Sequence, residues 1–375
     1  MDAALEQVKQ LAANADQTTR QRLMAALHKL AYSIEDSNDT TRRYGHLNLQ
    51  TAAIKIGVDL GLFRFLAESE SPLTVEEISK KTGVETQLMN RILRYLAAIH
   101  AAEEVSKDHY SASNVTRNLA EKVTEAAPQY QVLPTFLKKT TYRNPTNEMH
   151  TAFQDAWKTS LHAFAWFADH PEHLAPFNDY MALRRQPDLS WLTVYPVKEE
   201  TKGWDPERPV YVNVGGGVGH QCAQFKEKYP DVPGRVILQD LPHSIAEALP
   251  TPGVENVVHD FFEPQPIKGA KFYYMRGVLH NHPPYKVRKL LENTKLAMAP
   301  DSILLIDEMI LPETGVNANA ASIDLTMLTA FASMERTEAQ WREAMNDVGL
   351  ELVHTYLYSS QNYESVMDVR LPRHE

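Results

Sequence analysis

The run Gly215-Gly216-Gly217-Val218-Gly219 follows the apolar stretch "PVYVNV" and precedes the helical stretch "HQCAQFKEKYP". Strand, glycine loop, helix is an arrangement that lets the backbone turn sharply and pass close to a ligand. A tight strand-to-helix turn would produce the same run, so the surrounding residues have to decide. Asp240 ends the next apolar stretch, "GRVILQDLP", where a carboxylate meets ribose hydroxyls in open α/β sheets. A dinucleotide fingerprint wants glycine at position 220, which is His220, and a phosphate-cradling P-loop wants a following Gly-Lys-Ser/Thr, which is missing. A nucleoside without a pyrophosphate fits better, and S-adenosyl-L-methionine (SAM) is the common one. His280 follows Arg276 by four residues, just beyond another strand end. An imidazole titrates near neutrality and can take a proton from a hydroxyl.

These residues need a scaffold. From residue 196 on, "GRVILQDLP", "VENVVHDFF", "AKFYYMRGVLH" and "SILLIDEMILP" read as strands, separated mostly by helical segments such as "PPYKVRKLLENTKLAMA". Such alternation implies a parallel, doubly wound sheet. "ELVHTYLYS" and "YESVMDVRLP" read as two closing strands. Before residue 196 the pattern is helical. Ala52, Ile56, Leu60 and Phe63 recur at three- and four-residue spacing. Thr74 with Glu77 signals a capping box, Gly83 a break and "AEEVSKDHYSAS" a β-hairpin, which together make a winged helix-turn-helix pattern. Its second helix carries Arg91 and Arg94 but little other positive charge, too little for the phosphate contacts DNA binding needs. Packing or dimerisation is the better reading. The expected division is 1–195 and 196–375.

The chain has 375 residues, 43% hydrophobic and 23% charged, with a formal charge of −10. That composition buries a core without disulfides and argues against a nucleic-acid partner. Cys222 is the only cysteine, consistent with a reducing, cytoplasmic setting. Neither a signal peptide nor an 18-residue apolar run is present, so no membrane association is expected. His100, His150, His162, His170 and His173 form no metal-ligand spacing, and no metal is expected. The stretch from about Tyr142 to Tyr195 is rich in aromatics. Most are core candidates; Phe153, Trp157, Met181 and Met327 are the candidates for an apolar substrate wall, with Met149, His150, Phe164 and Trp191 as further guesses.

Taken in order, "VNVGGGVGHQCAQFKEKYPDVPGRVILQDLP", "HDFFEPQP", "YYMRGVLHNHPPYKVRKLL", "LLIDEMILPE" and "MERTEAQW" resemble the small-molecule O-methyltransferases of plants and fungi, the caffeic acid and flavonoid type. "AAIKIGVDLGLFRFL" and the winged-helix stretch resemble that family's dimerisation domain. The resemblance spans about residues 40 to 370. It implies a class I SAM-dependent methyltransferase fold, a Rossmann-like doubly wound sheet preceded by an α-helical winged-helix dimerisation domain, and a homodimer. Gly215 and Gly217 would pass close to SAM, Asp240 would hold the ribose, Leu241 would lie beside the adenosine, Asp260 and Phe261 would meet the adenine, and Arg276 would pair with the SAM carboxylate. His280 would be the general base, oriented by Glu308 and Glu335. The substrate would be a small aromatic or polyketide-type fungal metabolite. Two positions depart from the pattern: Asn213 and Asn281 stand where the family usually has aspartate. They keep open a second reading, that of fungal relatives which hold SAM as a fixed positive charge and catalyse pericyclic or dehydration chemistry without methyl transfer.

Overall fold

The computed structural model describes residues 2–121, 128–173, 190–360 and 362–372. Two compact units are present, Met1–Ala126 with Glu172–Ala182, and Ala127–Pro171 with Leu183–Glu375. The helices Pro128–Lys139, Ala152–Trp157 and Ala163–Asp169 therefore belong to the unit that carries the large sheet.

In the first unit, the helices Asp2–Ala13, Gln17–Ile34 and Ser37–Gly45 bury no residue. The core starts at helix Leu47–Asp59 and is built from Leu62, Phe63, Leu66, Ile78, Met89, Leu93, Leu96 and Tyr110. Helix Val75–Thr82 opens on the capping box read from the sequence. Thr74 Oγ1 accepts from the Glu77 amide at 3.1 Å, and Glu77 returns a carboxylate oxygen to the Thr74 amide at 2.7 Å. It stops at Gly83, whose φ of +74° lies in the left-handed region. Helix Thr86–Ala98 follows, and strands β1 (Leu73–Thr74), β2 (Glu103–Ser106) and β3 (His109–Ser111) form the wing in the order β1-β3-β2.

The second unit is organised by one sheet: β4 (Pro209–Val214), β5 (Arg235–Asp240), β6 (Val254–Val258), β7 (Phe272–Arg276), β8 (Ile303–Leu311), β9 (Arg336–Thr337), β10 (Glu351–Ser359) and β11 (Glu364–Arg370). The order is β10-β11-β8-β7-β4-β5-β6, with β9 joined to β8. Pairs among β4 to β8 are parallel, while β11 runs antiparallel between β8 and β10. The inner parallel strands β4, β7 and β8 are mostly apolar and buried because both faces are covered, while the edge strand β6 is largely exposed. Alternate residues feed opposite cores: Tyr273, Met275, Leu304 and Ile306 face one, Phe272, Tyr274, Ile303 and Leu305 the other. The chain leaves β4 for β5 and β6 on one side, then returns to β7 on the other. The carboxyl end of β4 is thus the topological switch point, where ligands bind in such sheets.

Candidate active site

Gly215 to Gly219 sit at that switch point. Gly215, Gly217 and Gly219 take φ values of +67°, +60° and +94°, which side chains with a Cβ rarely adopt. Gly216 is required for another reason: a Cβ there would lie 2.6 Å from Leu238 Cδ1 and would also strike the Asn213 amide. Asn213 is therefore a buried floor beneath the loop. Asp240, at the end of β5, accepts the Gly217 amide on Oδ2 at 2.8 Å and the Leu241 amide on Oδ1 at 2.7 Å. The carboxylate thereby holds the loop in shape. A Cβ at Gly217 would meet nothing within 4 Å, so this side of the loop is open. Around the opening stand Leu241, 41% exposed despite being apolar, and Phe261, whose ring lies 3.2 Å from the Cβ position of Gly215. Asp260 Oδ1 accepts the Phe262 amide at 2.9 Å and shapes that turn. A carboxylate, an apolar side chain and an aromatic ring around an open glycine turn suit a nucleoside; no lysine or arginine stands in the loop itself to meet a pyrophosphate.

The residues after β7 form a second group. His280 lies in the short 3₁₀ turn Leu279–Asn281 and is almost completely buried. Its Nδ1 is 2.7 Å from Glu335 Oε1. Glu308, on β8, works differently from Glu335. One of its oxygens, Oε1, accepts the amides of Val278, Leu279 and His280 at 3.1, 2.8 and 3.3 Å, while Oε2 is 3.9 Å from His280 Nδ1. Glu308 holds the backbone of the turn and Glu335 holds the ring. Burial pushes the Glu308 carboxyl above its ordinary value, with nearby His280 opposing that shift. His280, Glu308 and Glu335 bring ligand-type atoms within 4.8 Å of one another. Nδ1 of His280 and Oε1 of Glu308 are already engaged in hydrogen bonds.

Two further residues fasten this turn: Ser333, which carries no sequence signal, and Asn281, one of the two departures from the family pattern. The Ser333 hydroxyl lies 2.6 Å from the His280 carbonyl and 2.7 Å from that of His282. The Asn281 amide donates to the Gly277 carbonyl at 2.8 Å. An ionised aspartate could not make that bond, because it only accepts. Asn281 thus has a positive structural role in this chain.

Arg276 is directed at Asp307, with Nε 3.7 Å from Oδ2. Asp307 also accepts the hydroxyls of Tyr274 at 2.5 Å and Tyr358 at 2.7 Å. The guanidinium is anchored from below by a fully buried carboxylate, itself pushed up by burial and held down by Arg276. Phe153, Trp157 and Met327 come together in one cluster with Ala163, Trp166, Ala330 and Phe331. Trp191 is elsewhere, in the core against Tyr211 and Tyr274. Met181 lies outside the described residues.

Known proteins bear on this geometry. The O-methyltransferase domain matches residues 146–351, and the O-methyltransferase dimerisation domain matches residues 44–122. The chain belongs to the O-methyltransferase family. This O-methyltransferase-family chain is 39% identical over 376 residues to "O-methyltransferase ucdC" of Aspergillus ustus, covering 98% of each. Its fold matches the solved structure of LepI in complex with SAM at a TM-score of 0.87 and 35% identity, covering 99% of this chain and 98% of that one. It also matches a structure described as a pericyclic reaction enzyme, at a TM-score of 0.86 and 35% identity, with 99% of each chain covered. The class I SAM-dependent fold with a dimerisation domain, and SAM as the cofactor of the family, follow from these matches. Among the described residues no helix is long and apolar enough to cross a membrane.

His282 is only 7% exposed and packs edge-on against Phe261 and Phe262 at 5.5 and 5.1 Å. Burial pushes its imidazole down to about 3. The unfolded chain therefore takes up a proton below pH 6.5 that the folded chain refuses until about 3, so stability falls as the pH drops through that window. The expected slope from this residue is about 1.4 kcal/mol per pH unit. Urea unfolding of His282→Phe between those limits should show a correspondingly shallower loss than wild type.

Proposed function

We propose that the chain is a SAM-dependent O-methyltransferase that acts on a hydroxyl of a small aromatic or polyketide-type secondary metabolite, with His280 as general base. The observation that carries this reading is the buried His280–Glu335 pair, two residues beyond Val278, whose side chain lies 3.0 Å from the Cβ position of Gly215 in the open glycine turn. SAM, when bound, supplies a methyl group on a sulfonium, an electrophile that needs an aligned, deprotonated oxygen. Gly215 and Gly217 would admit the nucleoside, Asp240 would accept from the ribose hydroxyls, Leu241, Asp260 and Phe261 would surround the adenine, and Arg276 would meet the carboxylate. His280 takes the hydroxyl proton on Nε2 as the oxygen gains nucleophilic character. Glu335 then faces an imidazolium across the Nδ1–H bond, and Glu308 keeps the turn from shifting as charge moves. Phe153, Trp157 and Met327 supply an apolar wall, with Met181 a further candidate. Residues 1–195 would serve dimerisation and substrate lining and 196–375 cofactor binding, in a cytoplasmic homodimer without nucleic-acid partners.

A second reading has one observation in its favour, the likeness to a pericyclic reaction enzyme. A pericyclic rearrangement needs no proton acceptor, and the chain keeps a buried histidine–carboxylate pair, so methyl transfer is preferred. Incubation with methyl-labelled SAM and a panel of hydroxylated polyketides tests the choice. Label in the product supports methyl transfer; conversion that requires SAM but leaves the label in it overturns that reading. Asp240→Ala removes an acceptor that also shapes the loop, and hydrogen bonds to charged groups contribute about 1.5–3 kcal/mol each. Calorimetry with S-adenosylhomocysteine should show affinity reduced about tenfold to hundredfold.

A further inference from the structure

The segment that delivers Glu335 to His280 carries two more charged side chains. Glu335 Oε1 meets the imidazole, but Oε2 is buried with no hydrogen-bond partner among the described residues. A buried carboxylate with half its acceptors unused needs a cation within electrostatic reach. The next residue, Arg336, is 4% exposed and opens β9, which pairs with β8 at Ile310 and Leu311. Its guanidinium lies 4.9 Å over the Trp341 ring and donates to the Met334 carbonyl at 3.3 Å. Burial lowers the proton affinity of its guanidinium, and the charges of Glu308, Glu335 and Asp324 oppose that shift. Asp324, on helix Ala318–Phe331, accepts the Glu335 amide on Oδ1 at 2.8 Å. Around His280 three carboxylates, Glu308, Glu335 and Asp324, thus stand with the guanidinium of Arg336. On the remaining side stands His282, kept neutral by burial, with Lys286, His162 and Glu148 within its electrostatic reach.

We propose that Arg336 and Asp324 are opposed positioning residues that set the proton affinity of His280 through the charge they place around the Glu335–His280 pair. Arg336 makes a second positive charge on the imidazole less favourable. Asp324 fixes the Glu335 backbone and favours the imidazolium. The inference rests on His280 acting as the base, and it assigns the regulation of that base to two residues outside the reacting atoms.

The test is an NMR titration of the His280 imidazole in the full-length, S-adenosylhomocysteine-bound protein, with the resonance assigned by its loss in His280→Gln. For separations on the order of 10 Å and an effective dielectric near 20, removing a unit charge moves a titration midpoint by about one pH unit. Arg336→Met should move the midpoint up by about that amount, Arg336→Lys should leave it near wild type, and Asp324→Asn should move it down. The rising limb of the kcat/KM pH profile should follow in the same directions. A purely structural role would lower stability in the variants without opposite displacements. Absent shifts, or shifts of one sign in both Arg336→Met and Asp324→Asn, overturn the proposal. Should Arg336→Met fail to fold, the near-isosteric Asp324→Asn carries the test by its sign alone. Full turnover in His280→Gln would overturn the base reading itself, while the Arg336 and Asp324 titrations would still judge the electrostatics.

Discussion

Replacing His280 by glutamine lowers kcat for methyl transfer by about 10²- to 10⁴-fold, the span a positioned general base contributes. Glutamine is the informative substitution. Its amide can still donate to Glu335 Oε1, which His280 meets at 2.7 Å, so the buried carboxylate keeps a partner. Alanine would strand Glu335 and mix a catalytic loss with a folding one. SAM affinity should change little, because the glycine turn, Asp240 and Phe261 lie on the ends of β4 and β5 and in the turn after β6. Single-turnover measurement of label transfer, paired with calorimetry for the cofactor, separates the two effects. The residual rate should rise with the acidity of the substrate hydroxyl, because a phenolate already ionised in solution needs no base.

Glu308→Ala is expected to be the most damaging substitution for stability, by about 3–5 kcal/mol, the cost of removing one side of a buried charged network. Three buried amides, those of Val278, Leu279 and His280, converge on Glu308 Oε1 and would lose their acceptor at once. Glu308→Gln retains a carbonyl oxygen in the same place and should lose much less. Denaturant unfolding of the two variants checks the difference. If alanine and glutamine cost the same, the backbone-holding role assigned to Glu308 is wrong, and its part is electrostatic through the 3.9 Å approach to His280.

Much of the scaffold is legible without coordinates because its signals are local. Most strands from Pro209 to Leu311 announce themselves as apolar runs, the exposed edge strand β6 excepted, and the wing by its capping box and the hairpin at Lys107-Asp108. The glycine turn is legible for the same reason, since its backbone angles restrict the residue type. The pairing of His280 with Glu335 is different. Fifty-five positions separate them, and only the resemblance to a known family joined them. The unlike duties of Glu308 and Glu335 were invisible, because an acid facing backbone amides and one facing a ring look alike in sequence. Ser333 and Asp324 carry no motif, and Arg336 lies in "MERTEAQW" with no role attached to it; they matter because a left-handed Ala332 and the two-residue strand β9 turn the chain back toward β8. The stretch from Tyr142 reads as helical, yet Thr140–His150 runs as turns and loop before helix Ala152–Trp157 begins. A Thr151–Gln154 capping box starts that helix, a local signal hidden among the aromatics.

The amount of S-adenosylhomocysteine formed per molecule of product, measured with the wild-type chain and a hydroxylated substrate, tests the proposed chemistry most directly. One-to-one formation, with both falling together in His280→Gln, is the predicted result; product accumulating over many turnovers while SAM remains intact would contradict it and leave the cofactor as a bound charge in a rearrangement.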